Sequence, residues 1–218
     1  MKAIKTIYLA WRKGKGSRRK IVGVIRRNVS NGVRFAYIKE GVDEAQKEGF
    51  TPYIDFPETS KVYTENVLGV FGQRLIKTER SDIQKYLDFW AINPKYQDDK
   101  FYLLAHTQGM LSTDNFEFLA DFHPVKGLCF ISEVCGLSHA KVESGSLKPG
   151  DQLLWKLEKD NLKDPFAVKV FKGDKPIGYI KIIHSRVFHK SLKADLKITV
   201  KSVDQNDSIN RVFVEISF

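Results

Sequence analysis

Between residues 161 and 170 a polar turn feeds directly into an alternating apolar run, Asn161-Leu162-Lys163-Asp164-Pro165-Phe166-Ala167-Val168-Lys169-Val170. Asn and Asp side chains bond nearby backbone amides and favour tight loops, so Asn161 and Asp164 predict a turn. Phe166, Val168 and Val170 then recur at period two with Lys169 on the opposite face, the pattern of a half-buried strand. Lys172-Gly173-Asp174-Lys175 reads as a turn, and Pro176-Ile177-Gly178-Tyr179-Ile180 as a second strand returning beside the first. Many β-proteins own such a hairpin. Two acid or amide side chains, a lysine and an aromatic crowded at its mouth are less ordinary.

The residues around this hairpin are also β in pattern. Strands are predicted at Val125–Ile131, Gln152–Glu158, Ala167–Phe171, Ile177–Lys181, Leu196–Val203 and Arg211–Phe218, with one helix around His184–Leu192 and a turn at Lys148-Pro149-Gly150-Asp151. The first half is mixed. Thr6–Trp11, Ile21–Ile25 and Val33–Ile38 read as strands, the last two joined by Asn28-Val29-Ser30-Asn31-Gly32, where Asn-Gly marks a tight turn. Short helices are expected at Glu40–Gly49, Val62–Phe71, Asp82–Ile92 (behind the capping box Ser81-Asp82-Ile83-Gln84) and Asp99–His106. Met110–Phe118 reads as irregular or extended. A boundary falls near Phe122-His123-Pro124-Val125, so the expectation is an α+β chain of two domains, 1–122 and 123–218. At 218 residues the chain has enough apolar content for both cores.

Charge separates the two halves further. Residues 1–39 hold 12 Lys/Arg and no Asp/Glu, while residues 40–125 hold 8 basic and 15 acidic residues, a balance of −7. The remaining segment carries 16 basic and 11 acidic residues, and the chain sums to +10. A basic segment of this kind suits nucleic acid, an acidic protein partner or the chain's own acidic middle. Its densest part is Arg12, Lys13, Lys15, Arg18, Arg19 and Lys20, a Gly-rich hairpin tip able to present cations to phosphates or carboxylates. The Gly14-Lys15-Gly16-Ser17 stretch lacks the spacing and the following helix of a nucleotide-binding loop. No apolar run is long enough for a transmembrane helix, no secretory leader is apparent, and two cysteines make no disulfide framework, so a cytoplasmic location is expected.

Catalytic patterns are missing: the sequence holds no nucleophile elbow, zinc-protease helix or kinase signature. His123, Cys129, Cys135 and His139 offer zinc-ligand types, but at spacings unlike structural sites, where paired ligands stand two to four apart. No metal, cofactor or enzymatic activity is therefore expected. His184 and His189, beside Arg186 and Lys190, read as a solvated basic helix face, with phosphate contact the alternative. Trp11, Trp90 and Trp155 are read as core anchors.

Two resemblances add to this reading. Val22-Gly23-Val24, Asn31 to Tyr37 and Asp55-Phe56-Pro57 resemble the N-terminal subdomain of HipA-type kinases. The kinase body of that family is absent, so the resemblance implies a module that docks a separate HipA-like kinase, as in a toxin–antitoxin system. The second half is similar to the HIRAN domain. Val125 to Phe130, Leu147 to Leu153, the Asn161-x-x-Asp164-x-x-Ala167-Val168-x-Val170 core and Ile177 to Ile180 follow that family in order and spacing. The resemblance implies an OB-like β-barrel that binds single-stranded DNA at a 3′ end. It places Phe130 at a base-stacking position, Asn161 and Asp164 at the polar mouth, and Tyr179 and Lys181 on the strand lining it. Lys163 stands where DNA-binding members carry an aromatic, and Cys129 where they carry a basic residue. Lys163 would then meet phosphate. Together these imply a non-catalytic regulator that binds nucleic acid and docks a protein partner, with a purely protein-interacting adaptor as the alternative.

Overall fold

The computed structural model describes residues 4–14, 16–77, 79–190, 196–205 and 209–218. Lys15 of the basic tip and Leu192 of the expected helix lie outside them. The chain forms two compact units, Lys2–Asp88 with Ile92–Asp121, and Phe122–Phe218 with Phe89–Ala91.

In the first unit, β1 (Ile4–Trp11), β2 (Lys20–Asn28), β3 (Gly32–Tyr37), β4 (Val62–Tyr63) and β5 (Phe116–Phe122) form a sheet ordered β4-β3-β2-β1-β5. Register places Ile7 opposite Ile25, Ile25 opposite Phe35, and Phe35 opposite Tyr63. That row is the inner face. Phe35 is fully buried and meets the rings of Tyr37, Phe56 and Phe71 at 4.8, 5.2 and 5.1 Å. Such edge-on and tilted arrangements suit the aromatic quadrupole. Gly23 leaves room for that ring, since a Cβ there would stand 2.6 Å from it.

Helices α1 (Lys39–Gln46), α2 (Val67–Phe71), α3 (Ile83–Phe89) and α4 (Lys100–Thr107) complete the unit. Asp99 caps α4 by accepting from the Phe101 and Tyr102 amides, as an N-terminal carboxylate should. One expectation fails here. Val62–Phe71 is not one helix: Val62 and Tyr63 pair with Ala36 and Phe35, and α2 begins only after Asn66, at φ +51°. The stretch Met110–Phe118, read as irregular or extended, is irregular to Asn115 and then enters β5, which holds Glu117 buried inside the sheet. A charged residue in a buried strand hides the strand from pattern reading. It is tolerated because Arg12 and Arg19 both reach its carboxylate, at 3.2 and 2.8 Å.

In the second unit, β6 (Cys129–Cys135), β7 (Gln152–Leu157), β8 (Val168–Lys172), β9 (Lys175–Ile180), β10 (Lys197–Gln205) and β11 (Ile209–Ser217) close into a barrel ordered β10-β11-β6-β9-β8-β7. Short helices α5 (Leu137–Ala140) and α6 (Arg186–Lys190) interrupt it; α5 was not expected. The alternating positions Val168, Val170, Val212, Val214 and Ile216 fill the interior. Gly178 is required in β9: at φ +147° it lies so close to β6 that a Cβ would stand 2.3 Å from the Cys135 carbonyl oxygen. β6 begins later than predicted because Leu128 N–H closes a turn onto the Val125 carbonyl, with Gly127 in a left-handed conformation. Trp11 and Trp90 are buried as expected, whereas Trp155 is half-buried, its Nε1–H donating to the Leu196 carbonyl at 2.9 Å. No helix among the described residues is long and apolar enough to cross a membrane.

Candidate nucleic-acid interface

The loop between β7 and β8 is built by its own side chains. Asn161 Oδ1 accepts from the amides of Lys163 and Asp164 at 3.0 and 3.1 Å, and its Nδ2 donates to Glu158 Oε2 at 2.6 Å. Asp164 Oδ1 accepts from the Phe166 amide at 2.9 Å, and the Asp164 carbonyl from Ala167 N–H. Asn161 and Asp164 thus shape the loop, as their residue types suggested. What the loop presents outward is Leu162, Lys163 and Phe166.

Phe166 departs from the sequence reading. Its amide is tied into the turn before β8 starts at Val168, so it leaves the inward row and stands 40 % exposed. The Arg186 guanidinium lies 5.2 Å from its ring centroid, and the His189 ring meets it edge-on at 5.4 Å. His189 Nε2 is shut from solvent with no hydrogen-bond partner among the described residues. Helix α6 is therefore not a solvated basic face. Arg186 and His189 back an aromatic, Lys190 Nζ donates to the Phe122 carbonyl at 3.0 Å, and His184 is buried with Nδ1 2.9 Å from Ser132 Oγ. The alternation starting at Phe166 concealed this surface, although the bonding habits of Asp164 contained the signal for it.

Tyr179 joins the same region through Glu158. Lys169 Nζ lies 3.4 Å from Glu158 Oε1 and 5.8 Å from the Tyr179 ring centroid. The Asn161 hydrogen bond, helped by those from Tyr179 and Lys169, holds the Glu158 carboxyl below the usual range. Burial and the Glu158 carboxylate push the Tyr179 phenol up. Asn161 and Tyr179 thus meet at the Glu158 carboxylate, and Asn161 in turn holds the amides of exposed Lys163 and of Asp164.

Two of the expected ligand contacts are corrected. Phe130 is fully buried, its ring stacked on Phe122 with centroids 3.9 Å apart and planes 20° apart, so its face is spent inside the core. Lys181 is also fully buried, its Nζ 2.9 Å from Glu133 Oε2, while Arg211 Nε reaches Glu133 Oε1 at 2.9 Å. Lys181, just past the end of β9, is held there because a buried ammonium needs a paired carboxylate.

The basic hairpin is corrected in part. Arg12 and Arg19 engage Glu117, and Lys20 engages Glu48; Lys13 and Arg18 remain exposed at the tip. The described residues contain no cluster of three or more His, Cys, Asp or Glu arranged to hold a metal ion. Cys129 is instead a half-buried thiol pushed up to about 11, first by burial and then by the Glu215 carboxylate.

Comparison with known proteins bears on the barrel. The HIRAN domain family model matches residues 127–217. A crystal structure of the HIRAN domain of human HLTF is similar at 16 % identity and TM-score 0.32, over 40 % of this chain and 74 % of that one. No curated protein matches the chain. The match leaves the HipA-like reading of residues 1–122 on its sequence pattern alone. The matched residues, 127–217, are the segment that closes into the barrel, and the HIRAN family match rests on that segment.

Proposed function

We propose that this protein is a non-catalytic nucleic-acid-binding regulator whose barrel takes a single strand, best a DNA strand at its 3′ end, on the Asn161–Phe166 loop. The observation that carries this reading is Phe166: an exposed ring, backed by a guanidinium, on a loop that also presents Lys163. Exposed aromatics stack on bases with little regard to sequence, and lysine beside them meets phosphate. The ring of Phe166 takes the stacking role that the sequence resemblance had given to Phe130. The HIRAN family match supports the class of ligand. The 3′-end preference rests on the family resemblance, with Asp164 and Tyr179 as the polar groups nearest the loop.

The test is fluorescence anisotropy of the full chain with 3′-hydroxyl and 3′-phosphate oligonucleotides at several salt concentrations. Phe166→Ala should weaken binding by about 5- to 150-fold, the equivalent of one stacked base at about 1–3 kcal/mol. Equal affinity for the two ends would remove the end preference. An unchanged affinity in Phe166→Ala would remove the site.

Docking of a HipA-like kinase by residues 1–122 is the second half of the proposal. It draws support from an apolar depression of about 230 Å³ in that unit, lined by residues including Leu75, Ile83, Leu87 and Leu103. Copurification with a coexpressed HipA-like kinase, lost in Leu87→Asp, tests it. A kinase complex from a chain that binds no oligonucleotide would leave the adaptor reading in its place.

A further inference from the structure

Among the described residues, five cations of the basic N-terminal segment find acids within their own unit, Lys39 with its near neighbour Asp43 among them. Arg12 and Arg19 share Glu117, Lys20 reaches Glu48, and Arg27 lies 2.7 Å from Asp99. Arg26 and Arg34 do not: no acidic side chain among the described residues lies within ion-pair distance of either. They are also direct register partners across β2 and β3, with Thr6 of β1 next in the same row. Arg27, on the opposite face of β2, points to Asp99 and Phe101, so these two faces of the sheet are chemically different. Both Arg26 and Arg34 are exposed.

Like charges directly opposite in a sheet destabilise the pair. Two guanidiniums side by side, each a planar fork of donors, match the oxygens of phosphate groups and offset that repulsion when an anion bridges them. We infer that Arg26 and Arg34 form a second phosphate-binding site, on the sheet rather than on the barrel, for the backbone of a nucleic-acid strand. The choice of nucleic acid over an acidic polypeptide rests on the reading of the barrel given above. Among the described residues no ring is stacked on either guanidinium, so the pair grips backbone by charge and ignores base identity.

The experiment compares the full chain, Arg26→Gln/Arg34→Gln and Phe166→Ala, using fluorescent oligo-dT across a salt series. Each phosphate contact on a single strand contributes about 0.7 to the slope of log K against log salt, so the double variant should lose about 1.4 from the slope. Phe166→Ala should lose affinity and keep the slope. The double variant should melt at or above the wild-type temperature, since a like-charge pair is removed. A wild-type slope in the double variant overturns the inference and leaves the barrel reading intact. Loss of slope in the double variant, with Phe166→Ala binding as wild type, supports the arginine site and overturns the barrel site. Displacement of oligo-dT by polyglutamate as effectively as by unlabelled oligo-dT, charge for charge, overturns the assignment to phosphate. An absence of any oligonucleotide binding overturns both.

Discussion

Phe130 and Phe166 are both aromatic residues of the barrel unit, and they do opposite things. Phe130 stacks flat on Phe122 with no exposed surface, while Phe166 sits outside the strand with its ring open to solvent. Truncating a buried phenylalanine costs about 3–5 kcal/mol through lost burial and the cavity left behind. Phe130→Ala should therefore lower unfolding free energy by about that much in a denaturant titration. Phe130→Leu, which keeps most of the volume, should cost less and bind oligonucleotide within a few-fold of wild type. A large loss of binding by a well-folded Phe130→Leu would return Phe130 to the ligand site. Residue type alone told these two apart poorly. Period two put Phe166 inward, and only its hydrogen-bonded amide, a backbone fact, turns it out. Lys181 shows the same limit: a lysine at the end of a barrel strand reads as a ligand contact until Glu133 is found beside it.

At the scale of elements, the hairpin and its loop were legible because their chemistry is local. Asn161 and Asp164 bond amides two or three positions away, and Val168 and Val170 of β8 alternate with Lys169. The start of α2 and the course of β5 past Phe118 were not, because what decides them is remote: the pairing of Val62 with Ala36, and the arginines that neutralise Glu117. The loop's dependence on Glu158 gives it a pH response. The folded chain holds this carboxyl below its unfolded value, so between the two values the unfolded chain binds more protons. The contribution of Glu158 is thus complete above the unfolded value and is lost as pH falls through the folded one. Followed by NMR, the Lys163 and Asp164 amide signals should move in that acidic window, and Glu158→Gln should abolish the movement. Signals that titrate identically in the variant would assign the response to another group.

For the molecule as a whole, the linear charge map misleads in an instructive way. Residues 1–39 carry +12 and residues 40–125 carry −7, yet the fold interleaves them: Glu48, Asp99 and Glu117 each receive a cation from the N-terminal segment. Of the three destinations open to that basic segment, the chain's own acidic middle takes several of its charges, and sequence could not apportion these three because Glu48, Asp99 and Glu117 stand 28, 72 and 98 positions from Lys20, Arg27 and Arg19. Glu117 is the keystone, being nearly inaccessible and shared by two arginines. Removing one partner from a buried ionic group costs about 3–5 kcal/mol, so Glu117→Gln should lower the stability of this unit by a comparable amount in urea. Raising salt should recover little of it, since buried pairs are weakly screened.

Glu117 also reaches both arms of one hairpin, Arg12 before the tip and Arg19 after it. The tip between them displays Lys13 and Arg18 to solvent, the bonds a trypsin-like protease would sever. A chain nicked there would have its two ends fastened to the same carboxylate and to the paired strands β1 and β2. Cleavage in this stretch would leave a molecule cut in two covalently and still whole in shape.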